Sequence, residues 1–216
     1  MGAIARSAAN NITTSGVFTS NAITNSSVTG ITVLANASDG ITLISSQTAS
    51  NSASISFTSG LTSTYKAYKF VFSNMHPASA STFQFNFSTD GGSNYNVTKT
   101  TTVIQSTHAE ADNFALLQYN TSFDLAQSTA FQSLNCGDNS TNNDASLSGE
   151  LFIYNPSSTT YVKHFMSNTN NMASDPSTDQ NFTAGYANTT SAVNAIQFKM
   201  SSGNIDAGTI YLYGIK

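Results

Sequence analysis

Tyr68-Lys-Phe-Val-Phe72 and Phe83-Gln-Phe-Asn-Phe87 decide the fold class. In both runs every second residue is aromatic. An extended chain points successive side chains to opposite faces, so a strand puts each aromatic set on one side; a helix would scatter it around the axis. Working outward, Ala53-Ser-Ile-Ser-Phe57 repeats the pattern. Phe114–Tyr119, Ser146–Tyr154, Tyr161–Met166, Ala192–Met200 and Thr209–Ile215 extend it. Turn signals punctuate these runs at Asp90-Gly-Gly, Asn155-Pro, Ser202-Gly-Asn and Asp206-Ala-Gly. No stretch sustains a 3.6-residue period; Ala109–Gln118 offers at most one or two helical turns. About eight strands without helices predict an all-β, antiparallel β-sandwich of jelly-roll type. An immunoglobulin-like sandwich is less attractive, because there is no Trp and no cysteine pair.

The composition fits strands that meet each other more than they meet bulk charge. Ser, Thr and Asn make up 87 of 216 residues, and only 8% are charged, against about 25% in ordinary soluble proteins. Seven Lys and Arg with a net charge of −4 argue against a nucleic-acid-binding surface. No apolar run approaches the ~18 residues of a membrane span, so no membrane insertion is expected. Ser and Asn enrichment also accompanies disorder, but 14 Phe and 9 Tyr supply enough apolar area for a core. Cys136 is the single cysteine, so no internal disulfide forms. Met1-Gly-Ala-Ile-Ala-Arg-Ser7 has no apolar segment of signal-peptide length and fits the myristoylation pattern poorly. Nine Asn-X-Ser/Thr sequons, Asn86 and Asn181 among them, are expected by chance at this composition.

The chain divides by aromatic content. Phe18 is the one aromatic residue before position 55, and Arg6 and Asp39 are the only charged residues in the first 54. Residues 1–47 are therefore read as an extended N-terminal anchoring arm and 48–216 as the β-sandwich. The arm's runs Ile31-Thr-Val-Leu34 and Ile41-Thr-Leu-Ile44 suit extended backbone but lack the apolar mass for a core. Such an arm gains stability by pairing with its own domain or with a neighbouring subunit. A flexible linker is the alternative.

Candidate chemistry is sparse. Ser88-Thr-Asp-Gly-Gly-Ser-Asn-Tyr95 resembles the Asp-box of sialidases and related propellers, with Asn94 for Thr and Tyr95 for Trp. A single copy reads as a hairpin turn built on Asp90, Gly91 and Gly92, not as sialidase chemistry. His108, Glu110 and Asp112 would share one face of a strand, as a metal, acid–base or partner-contact set, or would be solvated on a loop. Asp138-Asn-Ser-Thr-Asn-Asn-Asp144 is oxygen-rich but lacks the glycine and glutamate of a calcium-binding EF-hand loop. It is expected to be a polar surface loop. Cys136 with His76, His108 or His164 has no nucleophile signature around it, and His164 reads as an edge or core histidine. With no nucleophile elbow, zinc-binding helix motif or phosphate loop, no catalytic residue, metal or cofactor is expected. Tyr211 and Tyr213 flank Leu212 on the last strand and offer ring faces to a sugar or to another subunit.

Several phrases resemble small β-sandwich structural proteins of tailed bacteriophages, marine ones especially. They are Ser45-Ser-Gln-Thr-Ala-Ser50, Tyr68-Lys-Phe-Val-Phe72, Phe87-Ser-Thr-Asp-Gly-Gly-Ser-Asn-Tyr95, Gly149-Glu-Leu-Phe-Ile-Tyr-Asn-Pro156 and Gly208-Thr-Ile-Tyr-Leu-Tyr-Gly-Ile-Lys216. Ile23-Thr-Asn-Ser-Ser-Val-Thr-Gly30 looks like the anchoring segments of phage fibres and head decorations. The resemblance implies a non-enzymatic protein on the virion surface, as head decoration or tail fibre. It implies an arm docked on other virion proteins, and a homo-oligomer, with a trimer favoured. A carbohydrate- or receptor-binding module that contacts a host surface glycan is the second reading; a glycan-active enzyme is the third.

Overall fold

A computed structural model describes residues 40–216. Among these the chain forms twelve strands and no helix. They are β1 (Ile41–Thr48), β2 (Ile55–Phe57), β3 (Ala67–Pro77), β4 (Phe83–Ser88), β5 (Lys99–Ala109) and β6 (Ala115–Tyr119). There follow β7 (Gln132–Ser133), β8 (Leu147–Tyr154), β9 (Lys163–Met172), β10 (Ser177–Ala187), β11 (Ala195–Met200) and β12 (Ile205–Ile215). One sheet has the order β1-β12-β3-β8-β9-β10-β5-β6, the other β2-β11-β4-β7, and every pairing is antiparallel.

This order is the jelly roll. The pairs β1·β12, β2·β11, β3·β8 and β4·β7 nest from the chain ends inward and alternate between the two sheets. Wrapping such a ladder gives two four-stranded sheets, β1-β12-β3-β8 against β2-β11-β4-β7. Two further hairpins extend one of them. β5–β6 lies between β4 and β7 in the chain, β9–β10 between β8 and β11, and together they double the first sheet's width.

Phenylalanine fills the space between the jelly-roll sheets. Phe70 and Phe72 of β3 face Phe83 and Phe85 of β4, Phe57 of β2 and Phe198 of β11. Phe198 is the hub, with five ring neighbours at centroid distances of 5.3–6.4 Å. Edge-to-face geometry dominates, as the ring quadrupole favours. Burying each ring contributes about 2–3 kcal/mol.

The extension has a different interior. Beyond Phe165, which still packs on Phe85 and Phe87, the inward rows paired across β9, β10 and β5 are Ser167–Thr183–Val103, Thr169–Asn181–Gln105 and Asn171–Asp179–Thr107, nearly all polar and all buried. They face the irregular segment 120–146 around β7, whose backbone groups need partners inside the protein. The side chains supply them. Thr101 Oγ1 accepts from Leu125 N at 2.8 Å, Asn181 Oδ1 from Cys136 N at 2.9 Å, and Thr169 Oγ1 donates to Leu134 O.

Three expectations change. The boundary drawn between residues 47 and 48 falls inside β1, which pairs with β12 from Ile41 to Thr48. Residues 41–47 thus belong to the sandwich, because their β-branched run completes an edge; the rest of the expected arm, 1–39, lies outside the described residues. The anticipated helical turns at 109–118 are the β5–β6 turn and β6 itself. The Asp90 turn closes no hairpin, since β4 and β5 lie in different sheets; it turns the corner between them.

Candidate functional site

The jelly-roll half of the large sheet turns its inner face to the core, and among the described residues nothing covers the opposite face. Register aligns the open face into rows. Tyr213, Lys69 and Phe152 lie side by side on β12, β3 and β8, and Met166, Ala184 and Thr102 continue the row on β9, β10 and β5. The next row holds Tyr211, Val71 and Glu150, then Asn168, Phe182 and Ile104, ending at Tyr119 on β6. Ile41 and Leu43 lie at the β1 end and Leu117 at the β6 end, all more than half exposed. Every strand thus contributes an aliphatic or aromatic group to these two rows, while the next outward row on β9, β10 and β5, Asn170, Gln180 and Ser106, is polar.

Charge on it is internally cancelled. Lys69 and Glu150 are the charged members of the two rows, and they pair at 2.5 Å. Lys69 also lies over the Phe152 ring, 5.1 Å from its centroid. Phe152 stacks on Tyr154, and Tyr211 is tilted against Tyr213, with centroids 6.3 and 6.4 Å apart. Between Tyr154, Met166 and Tyr186, the small residues Ala184 and Gly185 floor a depression of about 430 Å³. Phe182, two residues before Ala184 on the same strand, stands up beside it, 48% exposed.

Tyr211 and Tyr213 therefore sit on this face, half-buried, with Leu212 turned into the core. His164 lies there too, against Tyr186. It belongs to a central strand and points to the open side, so the edge-or-core expectation does not hold. The residues that sequence reading misses are Met166, Phe182, Ala184 and Ile104. For Phe182, Ala184 and Ile104 the signal is a lone apolar side chain among Thr, Asn and Gln, too weak to mark a strand, and Met166 lies at the end of an expected strand with nothing to show which face is open.

His108, Glu110 and Asp112 lie elsewhere, at the tip of the extension. They do not share a strand face: β5 ends at Ala109, and Asp112 turns the chain with φ 54°. His108 Nε2 lies 3.2 Å from Asp112 Oδ1, and Glu110 N donates to Pro176 O, tying the β5–β6 turn to the β9–β10 turn. Two clefts flank Glu110. One of about 280 Å³ includes His108, Asn170 and Thr178; the other, about 570 Å³, includes Asn113, Phe114 and Asp175. Phe114 is half-exposed there.

The remaining candidates are occupied by the fold. In the Asp90 turn, Ser88 Oγ donates to the carboxylate at 2.6 Å and Asn94 donates from both its amides, which holds the Asp90 pKa down at about 2. Gly92 has φ 92°, and a Cβ there would meet Tyr95 Oη at 2.7 Å. Burial, aided by the Asp179 charge, pushes the Cys136 thiol up to about 12. His76 contacts Asn142 O and Asp206 instead of the cysteine. In the 138–144 run, Asp138 and Thr141 to Asp144 are exposed, as a polar surface loop would be, while Asn139 and Ser140 are buried and their backbone amides donate to Ser81 O and Met172 O. Among the described residues no three His, Cys, Asp or Glu gather in a metal-binding arrangement. Asn86 and Asn181 are fully buried and hydrogen-bonded, so the folded protein offers neither sequon for glycosylation. Comparison with protein-family models, with curated proteins and with solved structures finds no match.

Proposed function

We propose that this chain is a structural protein of a bacteriophage virion, which assembles on the particle surface and catalyses nothing. The observation that carries the reading is the open face of the large sheet, where two rows rich in aromatic and aliphatic groups hold one internally neutralised ion pair. A face of that kind suits permanent burial against protein. The paucity of charge elsewhere agrees with it: a subunit held in an assembly does not depend on charge for solubility. The segment before β1 anchors the chain to other virion proteins, and the sandwich is the displayed or packed body, as head decoration or tail component. The test uses particles carrying the full chain with a label on Lys216, the exposed C-terminus. Ordered labelling on head or tail is the expected result, and deletion of residues 1–38 is expected to abolish incorporation. Particles that lack the protein altogether would overturn the reading.

The tip clefts favour a second role on the same particle. The carboxylates of Glu110 and Asp175 and the amide of Asn113 share a cleft with the half-exposed Phe114, which matches the chemistry that binds sugar hydroxyls and stacks on a pyranose face. A glycan array with the full chain tests it: binding lost in Phe114→Ala supports a host-glycan contact, and silence across host polysaccharides removes it.

A further inference from the structure

We infer that the open face of the large sheet is covered by a second copy of this chain, related by a two-fold axis that passes between Phe182 and Ala184. This deepens the assembly reading by naming the partner. It rests on that reading only in taking the face to be an interface.

Three observations point to a copy. The first is size. Eight strands spaced about 4.8 Å and the two rows spaced about 6.8 Å give a patch of roughly 38 by 14 Å, or roughly 520 Å² per copy, so two copies bury roughly 1,040 Å², just above the ~1,000 Å² that a specific contact needs. The second is charge. Lys69 and Glu150 neutralise each other within one chain, so two copies meet without importing an unpaired charge, and a charged partner gains nothing there. The third is shape. Phe182 projects and Ala184 recedes, both on the open side of β10. Side chains two apart on a strand are separated by about 6.8 Å. A two-fold axis midway between them sets each Phe182 over the other copy's Ala184 depression. The requirement of a self-complementary contact, that the patch contain both members of each pair, is met on one strand. Two identically twisted sheets also stack face to face at the shallow angle that sandwiches use.

A two-fold stack makes a dimer, which distinguishes it from the trimer that the phage resemblance favours. Sedimentation of the full-length chain over a concentration series reads the difference without particles, so this inference can fail while the virion reading stands. The expected result is a monomer–dimer equilibrium, with Phe182→Asp and Ala184→Trp each weakening it by ~30-fold or more. Ala184→Trp fills the depression from the solvent side and leaves the core untouched, so it reports even where the aspartate variant folds poorly; near-UV circular dichroism confirms that each variant is folded. A wild-type chain that stays monomeric at roughly 100 µM, a trimer, or a dimer that ignores both substitutions would overturn the inference.

Discussion

The large sheet has two interiors. Across β3 and β8 its inner face is Phe70, Phe72, Leu151 and Ile153, packed on rings from the other sheet. Across β9, β10 and β5 it is Ser167, Thr183, Asn181, Asp179 and Gln105. The strands run on without a break, so the difference lies in what covers them. A sheet offers no free backbone groups on its face, and an apolar interior suits it. The segment 120–146 is irregular, and its N–H and C=O groups would be stranded against Phe. Polar side chains are the condition for burying an irregular segment on a sheet. The Ser, Thr and Asn excess thus has an internal use as well as a surface one.

The sharpest way to break the comparison is to damage each interior in turn. Phe198→Ala removes the hub ring from the apolar half and should cost about 3–5 kcal/mol in urea unfolding. Asn181→Ala in the polar half strands Cys136 N and removes the amide bond to Asn171 Oδ1; it should cost about 1–3 kcal/mol. If Asn181→Ala were as costly as Phe198→Ala, the polar layer would be a second core in its own right and not a mortar for the segment above it.

The same contrast explains what could be read from the chain. Phe83-Gln-Phe-Asn-Phe87 announces β4 because burial on one face and solvent or loop on the other imprint period two. β5, Lys99-Thr-Thr-Thr-Val-Ile-Gln-Ser-Thr-His-Ala109, has polar residues on both faces, so its alternation of burial leaves no alternation of hydropathy. β10 is hidden for the same reason. Six of the jelly-roll strands, β2, β3, β4, β8, β11 and β12, were legible because they carry rings, as were β6 and the start of β9; β5 and β10 were not. The open face is half legible, through Tyr211 and Tyr213, because its other half lies on the hidden strands.

Lys99 sharpens the comparison at its far end. It and Lys163 flank Ala187 in the last inward row, and burial lowers both amines, Lys99 to about 7. Lys99 Nζ donates to Asn86 Oδ1 at 2.6 Å and to Val97 O at 2.9 Å, with no carboxylate among its hydrogen-bond partners. An unfolded lysine keeps its proton to about pH 10.5, so between pH 7 and that value the unfolded chain binds more protons than the folded one. The contribution of this lysine to stability therefore rises with pH across that window, by at most ~1.4 kcal/mol per pH unit, while above about pH 9 the Cys136 thiol, raised from 9.0 to about 12, acts in the opposite sense. Below pH 7 both states are protonated and this contribution is flat, with the cost of burying the ammonium fully present. From pH 7.5 to 9 the gain is at most ~2 kcal/mol, read as a rise in the urea midpoint, and Lys99→Met should remove most of it. A slope that survives Lys99→Met would assign the titration to Lys163 or to another group. A wild-type midpoint that does not move would mean that the Asn86 and Val97 oxygens hold the ammonium well enough to offset its burial.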